Sequence, residues 1–302
     1  MISLSTSAFY EQSARQIASL RAEADDLQRQ IGTGQRLSRS SDDPVAAARL
    51  RTLDRSQRLA EIDQQNSDLA QTDLKLTDDA LGSVTDLITR AQVLATQAAS
   101  DTVNDEQRAA IGLEIAGLKE SLLVIANTRS GAGHALFGGQ APGAAYVGTG
   151  AGASYLGTPS VDAVDLGTGQ TVTPSVTGPE VFQFDVAGSP TDLFRVLGDL
   201  AAALQSGSGQ VAASHAALDG LDVALDKVTT VQTVIGARMG WVEMMDQRRE
   251  ATGELMSDEK SSVGGADLAT TMTRLQEITT VLQASQASFV RLSNLTLFDV
   301  LR

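Results

Sequence analysis

The chain closes on SQASFVRLSNLTLFDVLR, residues 285–302. Phe289, Leu292, Leu295, Leu297, Phe298, Val300 and Leu301 crowd a terminus of the kind that ordinarily frays. Reading back from it, Leu275, Ile278, Leu282, Ser285, Phe289 and Leu292 recur at steps of three and four. That is the a/d spacing of a helix with one apolar stripe. The first residues mirror it: Tyr10, Ser13, Ile17, Leu20, Ala24, Leu27 and Ile31 keep the same spacing, with charged and Gln residues between. Each stripe is too thin to hold a helix by itself, so the ends should pair with each other or with neighbouring molecules. A last helix docked in its own core is the plainer alternative.

Inward from these ends, the first stripe breaks at IGTGQRLSRSSDDP, residues 31–44, where glycines and a Ser/Asp cluster mark a loop. Asp43 fits an N-cap, and Pro44 fits the first helical position, where its missing N–H costs nothing. Val45 to about Ala99 reads as one helix, its stripe placed on Leu59, Ile62, Leu69, Leu76, Ala80, Val84, Leu87, Ala91 and Leu94. At ~1.5 Å per residue it would be roughly 80 Å long, which suits a rod. Asn104 with Gln107 reads as the capping box of a further helix reaching about Thr128. Residues 131–188 are Gly-dense, with β-like pieces SVDAVDL, QTVTPSV and EVFQFDV. Helix should resume at Ser189-Pro190-Thr191-Asp192, with Pro190 in the first turn, and again from roughly Val211 to Met256. The last helix begins near Asp267.

These elements predict a mainly α fold. Residues 1–43 and 257–302 form a terminal coiled-coil domain, 44–137 and 189–256 a long antiparallel helical rod, and 138–188 a small β-rich insertion at its far end. Only 4% of the chain is aromatic, so the seams must be built mostly from Ala, Leu, Val and Ile. A net charge of −14 argues against nucleic-acid binding, which needs clustered Lys and Arg. No apolar run is long enough to span a membrane. The N-terminus lacks the basic and apolar regions of a secretory signal. With no cysteine, disulfides, thiolate metal sites and Cys nucleophiles are excluded.

Candidate chemistry is sparse. His134 and His215 have no partner histidine near in sequence, so catalysis, a metal and a cofactor are all unexpected. Gly148–Gly152 lacks the strand, helix and Lys of a phosphate loop. Asp162 and Asp165 read as a solvated edge, without a calcium-loop pattern. Arg49, Arg51, Arg55 and Arg58 line one helix and read as a face meeting acidic neighbours such as Glu61, Asp63 and Asp68, or another subunit.

The segment GQRLSRSSDDPVAAARL, residues 34–50, resembles the N-terminal motif of the flagellin family, and GADLATTMTRLQEITTVLQASQASFVRLSNLTLFDVLR, residues 265–302, resembles its C-terminal motif. Asp42-Asp43-Pro44, Phe137-Gly138-Gly139, GPEVFQFDVAGSPTDLFRVLGDLAAAL at 178–204 and the tail LSNLTLFDVLR are similar to the branch that joins hook to filament. Gly264-Gly265 departs from the pattern. The resemblance covers nearly all of the chain except about 140–180. It implies an extracellular subunit of the bacterial flagellum, exported without a cleaved signal through the flagellar type III apparatus. It further implies terminal helices that order on assembly, self-association in a ring, contact with a neighbouring hook-associated protein and with flagellin, and a chaperone on the C-terminal seam. Ile17, Leu20, Leu27, Ile31, Leu275, Ile278, Leu282, Phe289, Leu292 and Phe298 would then be assembly contacts. A minor flagellin, or a surface protein binding a ligand through the insertion, are the rival readings.

Overall fold

A computed structural model describes the backbone of residues 2–131 and 133–300, and the side chains of residue 8 and residues 10–131 and 133–291. Leu292 and Phe298 therefore lie outside the described side chains. The chain divides into two compact units, one of Met1–Arg58 with Ala251–Arg302, the other of Leu59–Glu250.

The first unit holds α1 (Ile2–Thr33) and α7 (Leu268–Val300), packed against each other. It also holds the first turns of α2 (Pro44–Ala99) and the last turns of α6 (Gln210–Gly264). Antiparallel pairing of α1 with α7 follows from their cross-contacts. Tyr10 meets Phe289 edge-on at 5.5 Å between ring centroids, and Glu23 meets Arg274 at 3.3 Å. Gln35 bridges Gly265 where the two helices end and begin.

The second unit is built on the seams of α2 and α6. On α2 the inward residues are Ser67, Ala70, Leu74, Thr77, Leu81, Val84, Ile88, Ala91, Ala95 and Ala98, all buried and all at steps of three and four. The stripe expected from Leu59, Ile62 and Leu69 is corrected by this register, since those three are 52%, 53% and 64% exposed. Small and hydroxyl side chains share this inner face with the bulkier Leu74, Leu81, Val84 and Ile88. Thr77 hides its hydroxyl by donating to the Asp73 carbonyl at 2.8 Å. On α6, Ser214, Ala217, Leu221, Ala224, Val228, Val231, Ile235, Val242 and Met245 keep the matching repeat. Gln92 Nε2 donates to Asp222 at 2.7 Å and Arg249 to Gln64 at 2.9 Å, so the two helices run antiparallel.

α3 (Asp105–Ala126) starts at a full capping box between Asn104 and Gln107, as expected, and packs on α5 (Leu193–Ser206). Gly112 allows their approach, because a Cβ there would sit 3.0 Å from Leu204 Cβ. Between α3 and α5 come three two-stranded antiparallel sheets, β1–β2 (Tyr146–Thr149, Gly152–Tyr155), β3–β4 (Val164–Gly167, Gln170–Val172) and β5–β6 (Gln183–Val186, Ser189–Asp192). The short α4 (Gly178–Phe182) precedes β5. Pro190 stands in β6, not in a helical first turn; Asp192 is the N-cap, its carboxylate accepting from Arg195 N at 2.8 Å. α6 extends eight residues past the expected end at Met256, to Gly264.

The scarce aromatic residues are concentrated here. Phe137, Tyr146, Tyr155, Phe182 and Phe194 form one cluster with centroids 4.9–5.6 Å apart. Burial raises the Tyr146 phenol above its ordinary pKa. The β-rich segment is also not confined to one end of the helices. The β3–β4 hairpin lies along α2 and α6: Asn66 donates to Asp165 O at 3.0 Å, and Arg249 donates to Leu166 O at 2.8 Å. Gly167 rests so near Asp63 that a Cβ would come within 2.2 Å of its carboxylate.

Candidate assembly interface

The first unit places eight of the ten expected contact residues among described side chains. Ile17, Leu20, Leu27 and Ile31 of α1 are half-buried, as are Leu275, Leu282 and Phe289 of α7. Among the described side chains of α7, only Ile278 and Thr271 are buried. The reason is geometric. A pair of helices shields only the side chains between them, and the flanks of each stripe stay open. A shallow groove lined by Ala14, Ile17, Ala18, Gln286, Phe289 and Val290 marks that open flank, with Val290 56% exposed.

The turn that leads from α1 to α2 is held by carboxylates. Asp42 accepts from Ser38 N, Ser38 Oγ and Arg39 N at 3.2, 3.1 and 2.8 Å. Asp43 caps α2 by accepting from Ala46 N at 3.0 Å, and Pro44 opens the helix. These amide donors, Arg39 N first for Asp42 and Ala46 N first for Asp43, hold both carboxyls below their ordinary pKa. Arg36 N donates to Gly264 O at 2.8 Å and Ala266 N to Gly34 O at 2.9 Å, stitching this turn to the one before α7. Gly264 lies flat on Leu50, and a Cβ on Gly265 would fall 2.4 Å from Ser261 O. That packing accounts for the Gly264-Gly265 pair. Asp267 then caps α7 through Ala269 N, Thr270 N and Thr270 Oγ1.

The basic run on α2 divides. Arg49 makes a two-pronged contact with Glu259 of α6, 2.5 and 2.8 Å, which lowers the Glu259 pKa. Its partner is on the other helix, not Glu61, Asp63 or Asp68. Arg55 and Arg58 remain exposed.

Elsewhere the residues weighed for chemistry stay apart. Gly148–Gly152 forms the β1–β2 turn, where Lys119 Nζ donates to Gly150 O at 2.8 Å. Asp162 accepts from Gln140, and Asp165 folds onto Gly167 N at 2.8 Å. Among the described residues no three His, Cys, Asp or Glu gather to hold a metal ion. No helix there is long and apolar enough to cross a membrane. What sequence reading missed is the arginine clamp on the hairpin, Arg249 with Arg238, which donates to Thr173 O and Ser175 O at 3.2 and 2.8 Å. No local signal marks an arginine whose acceptors are carbonyls far away in the chain.

Open helical stripes and a stitched turn between the terminal helices describe a helical subunit with flanks left to be covered by packing. Residues 4–141 match the bacterial flagellin N-terminal helical region. Flagellar hook-associated protein 3 of Escherichia coli is 30% identical over 98% of this chain and 98% of its own length. The crystal structure of Xanthomonas campestris FlgL covers 69% of this chain and 99% of that chain at 16% identity and a TM-score of 0.62. That of the flagellar junction protein FlgL from Legionella pneumophila covers 72% and 99% at 16% identity and a TM-score of 0.60. The chain belongs to the flagellar hook-associated protein 3 family, a structural family of the flagellum.

Proposed function

We propose that this chain is the adaptor layer between hook and filament. It self-associates in a ring, rests on a neighbouring hook-associated protein and templates flagellin. The observation that carries this is the half-open α1–α7 seam. Ile17, Leu20, Leu27, Ile31, Leu275, Leu282 and Phe289 are left half-buried by their own partner helix. Copies packed side by side would close those flanks, and at ~25 cal/mol per Å² the gain offsets the ordering of the chain ends. The work is mechanical, not catalytic. The chain reaches the cell exterior by flagellar export without a cleaved signal, its C-terminal seam covered by a chaperone until assembly. Residues 1–43 with 257–302 are the portion that enters the packed layer. Immunogold labelling of intact flagella tests this. A single band where hook meets filament is expected; label along the whole filament would make the chain a filament subunit and overturn the proposal.

A further inference from the structure

In the first unit, α2 and α6 turn two charged faces away from each other. Arg51, Arg55 and Arg58 follow at steps of four and three and are all exposed. They lie about 180° round the helix from Leu53 and Ala60, given ~100° per residue. Glu254 and Asp258 of α6, four apart and exposed, likewise lie opposite Met256 and Val263. The inner faces are already satisfied: Arg49 pairs with Glu259, and Lys260 pairs with Asp54 at 2.7 Å. Those pairs fix the relative height of the two helices. They set Arg51–Arg58, about 10 Å of helix, level with Glu254 and Asp258. Arg51 turns its Nε to Ala47 O, and among the described residues Arg55, Arg58, Glu254 and Asp258 have no partner. Leu255, 71% exposed, borders the acidic face.

We infer that the α2 face bearing Arg51, Arg55 and Arg58 of one copy docks on the α6 face bearing Glu254 and Asp258 of the next, an inference resting on the ring reading above. The occupant is a second copy of this chain because the two faces are opposite in sign and level in height, without any axial shift. Their opposition on one helical pair decides the symmetry. A two-fold dimer would need both faces to meet the same neighbour, which opposite faces cannot do. The contact is head-to-tail and propagates from copy to copy, as a ring requires. Exposed arginine–carboxylate pairs add little each, so the contact fixes register and specificity more than affinity, and weakens with salt.

The cysteine-free chain makes a clean test. Full-length Arg55→Cys/Glu254→Cys is expressed in flagellated cells, and intact flagella are treated with a short bis-maleimide. Covalent dimers and longer ladders should exceed either single-cysteine control by about tenfold, since a seated neighbour raises the effective concentration of the second thiol. Incorporation without a ladder overturns this docking while leaving the junction role standing. Wild-type label absent from the junction removes the role and the docking together. Should the double variant fail to incorporate, charge reversal decides. Arg55→Glu should reduce incorporation and Glu254→Arg in the same chain should restore it; no restoration overturns the inference.

Discussion

Replacing Arg249 by Met should release the β3–β4 hairpin while leaving the helices in place. The guanidinium donates to Gln64 Oε1 at 2.9 Å, Ser67 Oγ at 3.0 Å and Leu166 O at 2.8 Å, and pairs with Asp246. Its side chain is only 12% exposed. Met keeps the stem's volume, so cavity formation is minor. The loss is the charged fork, which leaves Asp246 unpaired and the Leu166 carbonyl short of a donor. Breaking a buried pair costs ~3–5 kcal/mol, and residual water access argues for the lower end, about 3 kcal/mol. For a unit of this size, each kcal/mol moves Tm by about 2–4 °C, giving about 6–12 °C by calorimetry. Hydrogen exchange locates the effect: the ladder amides between Val164 and Val172 should lose protection, while those of Leu81 to Ile88 keep theirs. Arg249→Lys should recover less than half, because one compact ammonium cannot reach all four acceptors that the planar fork spans. A fall of less than ~2 °C, or hairpin amides protected as in wild type, would refute the reasoning.

Leu282→Asp or Phe289→Asp should leave Leu59–Glu250 folded, read as an unchanged Trp241 emission, yet abolish the junction band; normal incorporation of both would remove α7 from the interface. Gly198→Ala should destabilise by about 1–3 kcal/mol and loosen the β1–β2 hairpin, because its Cβ would fall 1.8 Å from Ala151 O; unchanged urea unfolding would contradict that contact. Acid should undo the first unit before the second. Asp42, Asp43, Glu259 and Asp267 have lowered pKa values, so their contribution is full above the ordinary carboxylate value and lost as pH falls through the lowered ones. Asp73 and Asp192 are raised by burial, so their ionisation weakens the second unit as pH rises and relief comes on acidification. Below about pH 4, helical circular dichroism should fall before Trp241 emission shifts, and the reverse order would count against it.

The terminal helices were legible because their stripes are apolar and strictly spaced, and because caps are local. Asn104 with Gln107, Asp43 with Pro44, and Asp267 each announce a helix within four residues. The inner register of α2 was not legible, for a physical reason. Two interleaved repeats run along that helix, and the bulkier one, Leu59–Ile62–Leu69, faces outward. Hydrophobicity ranks Leu over Ser and Ala, so a reading by bulk picks the outer repeat, while Ser67, Ala70 and Thr77 hold the inner face. The hairpin's place along the helices was hidden for another reason. It depends on Arg249 reaching Leu166, 83 residues away, and composition carries no such pairing.

Charge completes the physical case for division of labour between the units. Residues 1–58 with 251–302 carry 13 basic and 13 acidic side chains, whereas residues 59–250 carry 10 and 24. The whole net charge of −14 therefore belongs to the second unit. A neutral unit with alternating signs can be packed against copies of itself at close range. An acidic one repels its copies and keeps its surface in water. The open α1–α7 seam and the matched Arg51–Arg58 and Glu254–Asp258 faces both lie in the neutral unit. Self-association should accordingly strengthen with moderate salt if screening of the acidic unit dominates, and weaken if the charged faces dominate. Comparing wild type with Arg55→Glu across a salt series separates the two. Loss of the salt-weakened component in the variant assigns it to the α2–α6 faces, and an identical salt profile in both chains would mean those faces do not meet.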